Sequence, residues 1–449
     1  MTAMKSTASP PQIIEAVRQA GVVGAGGGGF PSHVKLEARA DTVIANGSEC
    51  EPLLASDKTL LKEHPDRVVE GLLLAMRATG AARGIVAVKG HYAEVANAVE
   101  RVLPPGGPLR LHRLDDYYPA GDEFLTVYDV TGRVIPEGGL PLDVGVVVLN
   151  VLTLAQIAHA VAGKAVTERP VTVCGSVRQP LVVDAPIGTP YADLIAAAGG
   201  TRQADDVLLD GGPMMGTLVP DPARGIGRTT SAVLALPADH LVVRQKQISL
   251  PQMLQRSKAA CCQCFRCTDL CPRSLLGHAL QPHLTMRALG YHQADVGAVT
   301  SAFLCSQCGV CELVACDAML LSPRRILADL KRALLARGGS NPHHRAPATP
   351  HGALADRKVP SAALRRKIGL AGYAQETPQR GRLEPQRVRV PLRRQAGAAA
   401  RACVAVGSRV KRGDLVGAPP PDKLGACVHA SIAGRVTDVT EDWVEILAT

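Results

Sequence analysis

The chain has 449 residues and a formal net charge of +10; 46 % of it is hydrophobic but only 3 % aromatic, with Trp443 the single tryptophan. That length suits two to four domains, with cores built from Val, Leu, Ile and Ala. The basic excess is concentrated between Arg357 and Arg412 without interleaved aromatic residues, which argues against nucleic acid and for an acidic partner or an anionic ligand.

Taken in chain order, residues 11 to about 165 alternate strand and helix signals. Helices are expected at Ile13–Ala20, Asp57–Thr79 (broken early by Pro65), Ala93–Leu103 and from Thr153. Strands are expected at Thr42–Ala45, Gly84–Lys89, Leu109–Leu114 and Gly145–Leu149. Such alternation implies a mainly parallel sheet with helices on both faces. The apolar run Val144–Gly163 holds Asn150, Gln156 and His159, so it reads as a buried strand followed by a helix and no transmembrane segment is assigned. Met1–Ala20 lacks the apolar core of a secretory signal.

Between about 167 and 240, short β runs at Val171–Val173, Leu181–Val183 and Val207–Leu209 surround a helix at Tyr191–Ala198. Residues 250 to 335 carry cysteine runs on helices and loops. Residues 339 to 383, rich in Pro, Ala, Arg and His, read as a linker or extended arm. The last stretch has short β runs with glycine turns, clearest at Val404–Gly417 and Val428–Val436.

Eight of the thirteen cysteines form two runs, Cys261-x2-Cys264-x2-Cys267-x3-Cys271-Pro272 and Cys305-x2-Cys308-x2-Cys311-x4-Cys316. A C-x2-C-x2-C loop wraps a cubane and supplies three thiolates, and the fourth cysteine of each run reaches the other cluster. One [4Fe–4S] cluster is therefore expected on Cys261, Cys264, Cys267 and Cys316, and a second on Cys305, Cys308, Cys311 and Cys271. Zinc is the alternative, but zinc sites use two pairs rather than two quartets. The second run departs by its x4 spacing and by Asp317 in place of a proline. Cys262 lies off register, and Cys50, Cys174, Cys403 and Cys427 read as small core residues. Thiols kept for iron point to a reducing, cytoplasmic compartment.

The loop Gly24–Gly29 precedes a helix over Ser32–Glu37, so it can bring backbone amides and a helix start to a phosphate. It follows a helix rather than a first strand, unlike a dinucleotide fingerprint. Asn46–Pro52 and Asn150 with Thr153 lie at strand ends, where ligands of open α/β sheets bind, and Tyr118–Glu123 forms a second polar, glycine-containing loop. Other residues carry structural readings: His343-His344 in a solvated segment, His278 and His283 as surface or packing groups, Met214-Met215 as a wall of the β module, and Arg387, Arg389, Arg393 and Arg394 on a solvated strand face.

The motifs GAGGGGFPSHVK, NGSECEP, YPAGDE and LNVLT resemble the flavin domain of the NADH-binding subunit of respiratory complex I and its relatives. Those relatives include the C subunit of the Rnf electron-transport complex and the cobalamin reductases of propanediol-utilisation microcompartments. VTVCGSV, PIGTP and GGPMMG resemble their soluble-ligand-binding β-grasp (SLBB) module; VGSRVKRGDLVG and HASIAGRV resemble a barrel-sandwich, lipoyl-like module without the lysine of a swinging arm. The barrel-sandwich module comes last here, as in the microcompartment enzymes, whereas in the Rnf protein it precedes the flavin domain.

The resemblance implies a multidomain α/β protein. Its parts would be a Rossmann-like FMN domain (1–165), an SLBB β-grasp domain (166–245), a helical two-cluster ferredoxin-like domain (246–338), a linker (339–383) and a C-terminal all-β barrel-sandwich module (384–449). It implies FMN held by Gly24, Gly26, Lys35, Asn46, Ser48, Glu49, Cys50, Tyr118, Gly121, Asp122, Glu123, Asn150 and Thr153. Ser48 stands where the complex I relatives have an aspartate, and Leu36, Glu37 and Ala38 after Lys35 offer no aromatic ring for a nicotinamide dinucleotide, although Phe30 remains. The expected activity is NADH-dependent reduction of cob(III)alamin or cob(II)alamin in a bacterial microcompartment. NADH or a reduced protein would be the donor, a corrinoid or its adenosyltransferase the acceptor, and a shell protein a further partner. The alternatives are an Rnf-type electron-transport protein, or an electron conduit docked on a shell protein.

Overall fold

The structure is a computed structural model that describes residues 7–290, 295–346 and 349–449. Its first part runs α1 (Pro10–Gln19), α2 (Ser32–Leu36), β1 (Thr42–Gly47), α3 (Ser56–Glu63), α4 (Pro65–Thr79), β2 (Arg83–Lys89), α5 (Ala93–Val102), β3 (Leu109–Leu114), β4 (Tyr117–Tyr118), α6 (Glu123–Thr131), β5 (Val146–Asn150) and α7 (Val151–Val161). Strands β3, β2, β1 and β5 form a parallel sheet in that order, as their apolar runs anticipate. One face packs on α1, α4, α5 and α7 through Ile13, Val17, Leu72, Val99 and Leu154; the other packs through Ile44, Ala87 and Val148 on Val127 and Ile135. Gly71 lets α4 lie against α7, since a Cβ there would meet the Leu154 backbone. Pro65 opens α4 at its first position and Gly80 closes it with φ 73°, which splits the expected 57–79 helix in two. Helix α6 lies outside the sequence expectations; Asp122 starts it by accepting from the Phe124 and Leu125 amides.

The second part holds β6 (Glu168–Gly175), β7 (Leu181–Pro186), α8 (Tyr191–Ala197), β8 (Val207–Asp210), β9 (Thr217–Leu218) and β10 (Ala232–Leu236). Here β10 pairs parallel to β6, and β6 with β7 and β10 with β8 are antiparallel. Helix α8 covers one face, burying Tyr191 and Leu194 against Val171, Val173 and Val233. The cysteine region follows as short helices, Arg266–Asp269, Pro272–Leu275, Pro282–Gly290, Val296–Thr300 and Pro323–Ala336, with a π-helical turn at Cys311–Ala315.

The stretch expected as a linker is instead built into the other modules. Its strand β11 (Val359–Pro360) pairs with β4, and β12 (Gln379–Arg382) runs parallel to β7 as the outer strand of the second sheet. Between them the helix Ser361–Lys367 buries Leu364, and Ile368 and Leu370 follow it into a core shared with Leu209, Leu236 and Val314. The buried Lys89 ammonium fixes this arm, pairing with Asp116 at 3.0 Å and donating to Ser361 Oγ at 2.7 Å.

The C-terminal part consists of β13 (Arg387–Pro391), β14 (Arg401–Ala402), β15 (Arg409–Val410), β16 (Leu415–Ala418), β17 (Val428–His429), β18 (Gly434–Val439) and β19 (Trp443–Ala448). Two sheets, β13-β19-β18-β15 and β14-β16-β17, enclose Val388, Val390, Val416, Val436, Val444 and Ile446. The four arginines do not share one solvated face. Arg389 pairs with Glu445 at 2.8 Å, and Arg394 is drawn inward to Asp210 at 3.0 Å and Tyr191 Oη at 2.8 Å, tying this module to the second one. Cys403, expected in a core, is exposed, while Cys174 is buried. His278 and His283 are buried packing groups, bonded to Ile135 O at 2.9 Å and Thr268 Oγ1 at 2.7 Å. Among the described residues no helix is long and apolar enough to cross a membrane.

Candidate electron-transfer site

The parallel register sets Asn46 of β1 beside Asn150 of β5 at the carboxyl ends of their strands. A cavity of about 310 Å³ opens there, within the range of small-ligand pockets. All thirteen residues expected to hold the flavin line it. The glycine loop forms one wall: Gly24 and Phe30 exchange a backbone bond, Ala25 N–H donates to Thr153 Oγ1 at 2.9 Å, and Gly27 has φ 110° with open space where a Cβ would stand. Gly26 lies against Asn150, at 3.4 Å from an added Cβ.

The opposite wall is the YPAGDE loop. Asn46 Nδ2 donates to Gly121 O at 3.0 Å and its Oδ1 accepts from Ser48 Oγ at 2.7 Å, so the two polar loops hold each other. Lys35 pairs with Glu123 at 2.8 Å and donates to Val148 O. Glu49 is turned away from ligand duty: its carboxylate accepts from Ser56 Oγ and from the Asp57 and Lys58 amides at the start of α3. Cys50 is pushed up to about 12 by burial and stays a neutral thiol.

Two cavity residues were not anticipated. Asp57 accepts from Asn150 Nδ2 at 2.6 Å, and burial with the nearby Glu49 carboxylate pushes it up to about 7. Ser32, at the start of α2, is 1 % exposed and its Oγ has no partner. An orphaned hydroxyl facing a cavity beside glycine amides fits a phosphate-bearing ligand. The only sequence signal for Ser32 was its place directly after the glycine loop and Pro31.

The cysteines fall into the two crossed sets. Cys271 lines a small cavity with Cys305, Cys308 and Cys311, walled by Leu280, Leu327, Arg273 and Arg324. Cys316 packs beside Cys267, and with Cys261 it borders Met253, Met286 and Leu321. Cys264 and Cys262 are exposed. Among the described residues no three His, Cys, Asp or Glu side chains converge on a single point, as the zinc alternative requires; cubane ligands stand apart by the width of the cluster. In both runs the residue before the second cysteine is a glutamine in left-handed backbone, Gln263 at φ 54° and Gln307 at φ 62°. Each amide donates to the first cysteine of its run, Cys261 or Cys305, at 3.2 Å.

The cavity and the cysteines are joined. Cys308 lines both the large cavity and the cysteine-lined one, and the Tyr118 hydroxyl donates to Cys308 O at 2.5 Å. Arg273, two residues after Cys271, forms a buried pair with Asp122 at 2.5 Å and lies 3.7 Å over the Phe124 ring. Glu51 reaches the second module, accepting from the Met214 and Met215 amides at 3.0 and 2.7 Å.

Family models match the chain in four places: the Nuo51 FMN-binding domain at residues 17–159, the SLBB domain at 170–218, the 4Fe-4S dicluster domain at 260–320 and the RnfC barrel sandwich hybrid domain at 372–446. Fold and site therefore define a flavin and iron–sulfur electron-transfer oxidoreductase with FMN and two [4Fe–4S] clusters as its cofactors. The chain is 43 % identical to cobalamin reductase PduS of Salmonella typhimurium, over all of this chain and 99 % of that one. It is 42 % identical to cobalamin reductase PduS of Citrobacter freundii over the same shares. It is also 34 % identical, over 58 % of this chain and 57 % of the relative, to the RnfC-type component of the Na(+)-translocating ferredoxin:NAD(+) oxidoreductase complex of Acetobacterium woodii. The chain belongs to the PduS cobalamin reductase family, within the wider group of RnfC proteins and complex I flavin domains.

Proposed function

We propose that the chain is an NADH-dependent reductase of corrinoids, taking cob(III)alamin to cob(II)alamin and onward, in the setting of a bacterial microcompartment. The observation that carries the electron-transfer part is Cys308, which lines both the large cavity and the cysteine-lined one; the corrinoid comes from the relatives. In this reading FMN is held by the thirteen residues given above together with Ser32. The clusters sit on Cys261, Cys264, Cys267 and Cys316, and on Cys271, Cys305, Cys308 and Cys311.

Bound flavin supplies exchange between hydride and single electrons, and the clusters carry one electron at a time. The protein does the rest. The glycine loop and Ser32 receive the phosphate. Asn46 and Gly121 brace the cavity walls. Lys35 and Glu123 form a charge pair at its rim. Asp57, held largely protonated near neutrality, keeps a proton beside Asn150. Tyr118 and the Asp122–Arg273 pair hold the cysteine region against the cavity.

The donor has a second reading. The absence of an aromatic residue after Lys35 favours a reduced protein over NADH. An adenosyltransferase taking up the reduced corrinoid and a shell protein are the partners that follow. The test is anaerobic stopped-flow mixing of reconstituted protein with NADH and hydroxocobalamin. Flavin bleaching followed by corrinoid reduction supports the proposal. Bleaching with no corrinoid change removes the corrinoid, and no bleaching removes NADH as donor.

A further inference from the structure

We infer that the two clusters act in a fixed order: the set on Cys271, Cys305, Cys308 and Cys311 receives electrons from the flavin cavity, and the set on Cys261, Cys264, Cys267 and Cys316 delivers them at the surface. The inference rests on the residue roles proposed above and adds direction to them.

On the inner side, Cys308 and Ser306 line both the flavin cavity and the cysteine-lined cavity. Tyr118 bonds the Cys308 carbonyl, and Arg273 anchors the Cys271 turn to Asp122. Among the described residues lining the flavin cavity, none belongs to the Cys261–Cys267 loop. In the middle, Cys311 and Cys267 share one small apolar group with Leu270 and Ala315, so the two sets adjoin there. On the outer side, Cys262 and Cys264 are exposed, and Phe265 between the ligands is 53 % exposed at φ 64°. The elements thus form a line from cavity to surface.

Each transfer moves one electron. The reduced flavin loses one electron while the inner cluster gains it, and the inner cluster is reoxidised as the outer one is reduced. The outer cluster then gives its electron to a one-electron acceptor, the corrinoid cobalt in the reading above. Two passages oxidise the flavin fully, and its protons leave to water.

The glutamine pair provides a test that leaves every ligand in place. A hydrogen bond to a ligand sulfur raises a cluster's potential, so Gln307→Leu lowers the inner cluster alone and Gln263→Leu the outer one alone. The expected reading in EPR-monitored redox titrations of the holoprotein is one shifted cluster per variant. After photoreduction of the flavin and rapid freezing, Gln307→Leu slows the arrival of electrons at both clusters. A tenfold drop in the transfer equilibrium corresponds to about 59 mV for one electron. Gln263→Leu leaves the inner cluster's reduction at the wild-type rate. The opposite pattern overturns the order, and so does equal, unaffected reduction of both clusters. A potential that moves in neither variant removes the cysteine assignment beneath it. These readouts end at the clusters, so they stand whether or not a corrinoid is the acceptor. In the unaltered protein, a water-soluble paramagnetic chelate should speed spin relaxation of the outer cluster and not the inner; the reverse overturns the order too.

Discussion

The contact that binds cofactor loop to cysteine run is the Asp122–Arg273 pair, and its loss is the sharpest stability prediction. The two side chains are 10 % and 7 % exposed and 2.5 Å apart, so the pair is effectively desolvated. Breaking such a pair from one side costs about 3–5 kcal/mol, because the remaining charge stays buried. In Arg273→Met, Asp122 keeps the Phe124 and Leu125 amides at 3.1 and 3.4 Å, a cap worth about 0.5–2 kcal/mol. The expected cost is then near the lower end, about 3 kcal/mol. In Asp122→Asn, Arg273 keeps the Phe124 ring at 3.7 Å, worth up to about 2 kcal/mol when desolvated, so a similar cost is expected. The double variant should cost much less than the sum, with a coupling of about 1.5–3 kcal/mol. Hydrogen exchange of the α6 and 272–275 amides across a urea series reads this local opening in the holoprotein. Costs that add to within about 0.5 kcal/mol would refute the claim that the pair joins the two parts.

Ser32→Ala should move two quantities in opposite directions. Removing an orphaned buried hydroxyl stabilises the flavin-free protein by about 1 kcal/mol, while losing a bond to a phosphate weakens FMN retention by about tenfold or more; thermal melting and flavin release measure the two. Gly121→Ala places a Cβ 2.6 Å from Ser48 Oγ and 3.1 Å from Cys50 Sγ. Overpacking of about 1–3 kcal/mol and a lower flavin-to-protein ratio on purification are expected. Asp57 is raised in the folded state, so its contribution is full below its unfolded pKa and is lost as pH rises to about 7. Wild-type melting temperature should fall between about pH 4 and pH 7 from this group, and Asp57→Asn should flatten that fall; an unchanged slope contradicts the assignment.

Much of the first module was legible because its strands are buried on both faces. Thr42–Ala45 and Gly145–Leu149 are continuous apolar runs, and Leu109–Leu114 was located to the residue. The crossed cysteine sets followed from spacing alone, since a fixed number of residues fixes where the fourth thiol points. Other features depend on partners far away in sequence. Helix α6 was hidden because Asp122 reads equally as a loop residue, and only its amide partners make it a cap. Strand β12, Gln-Arg-Gly-Arg, has no apolar signature because it completes an edge whose core comes from β7. Arg394 looked like one more surface arginine until Asp210 and Tyr191 of another module came beside it. Ser32 and Asp57 lacked any motif, and only the cavity joins them to the glycine loop. The same holds for Cys308: the sequence makes it a ligand candidate, and the fold brings it against the flavin cavity.

The central claim is one flavin and two clusters working as a single redox unit. Flavin, iron and sulfide quantitation alongside integrated EPR of one fully reduced sample tests it most directly. The account predicts about one FMN and about eight irons per chain, with about two interacting cluster spins. Zinc in place of iron, or a single isolated cluster spin, would contradict it.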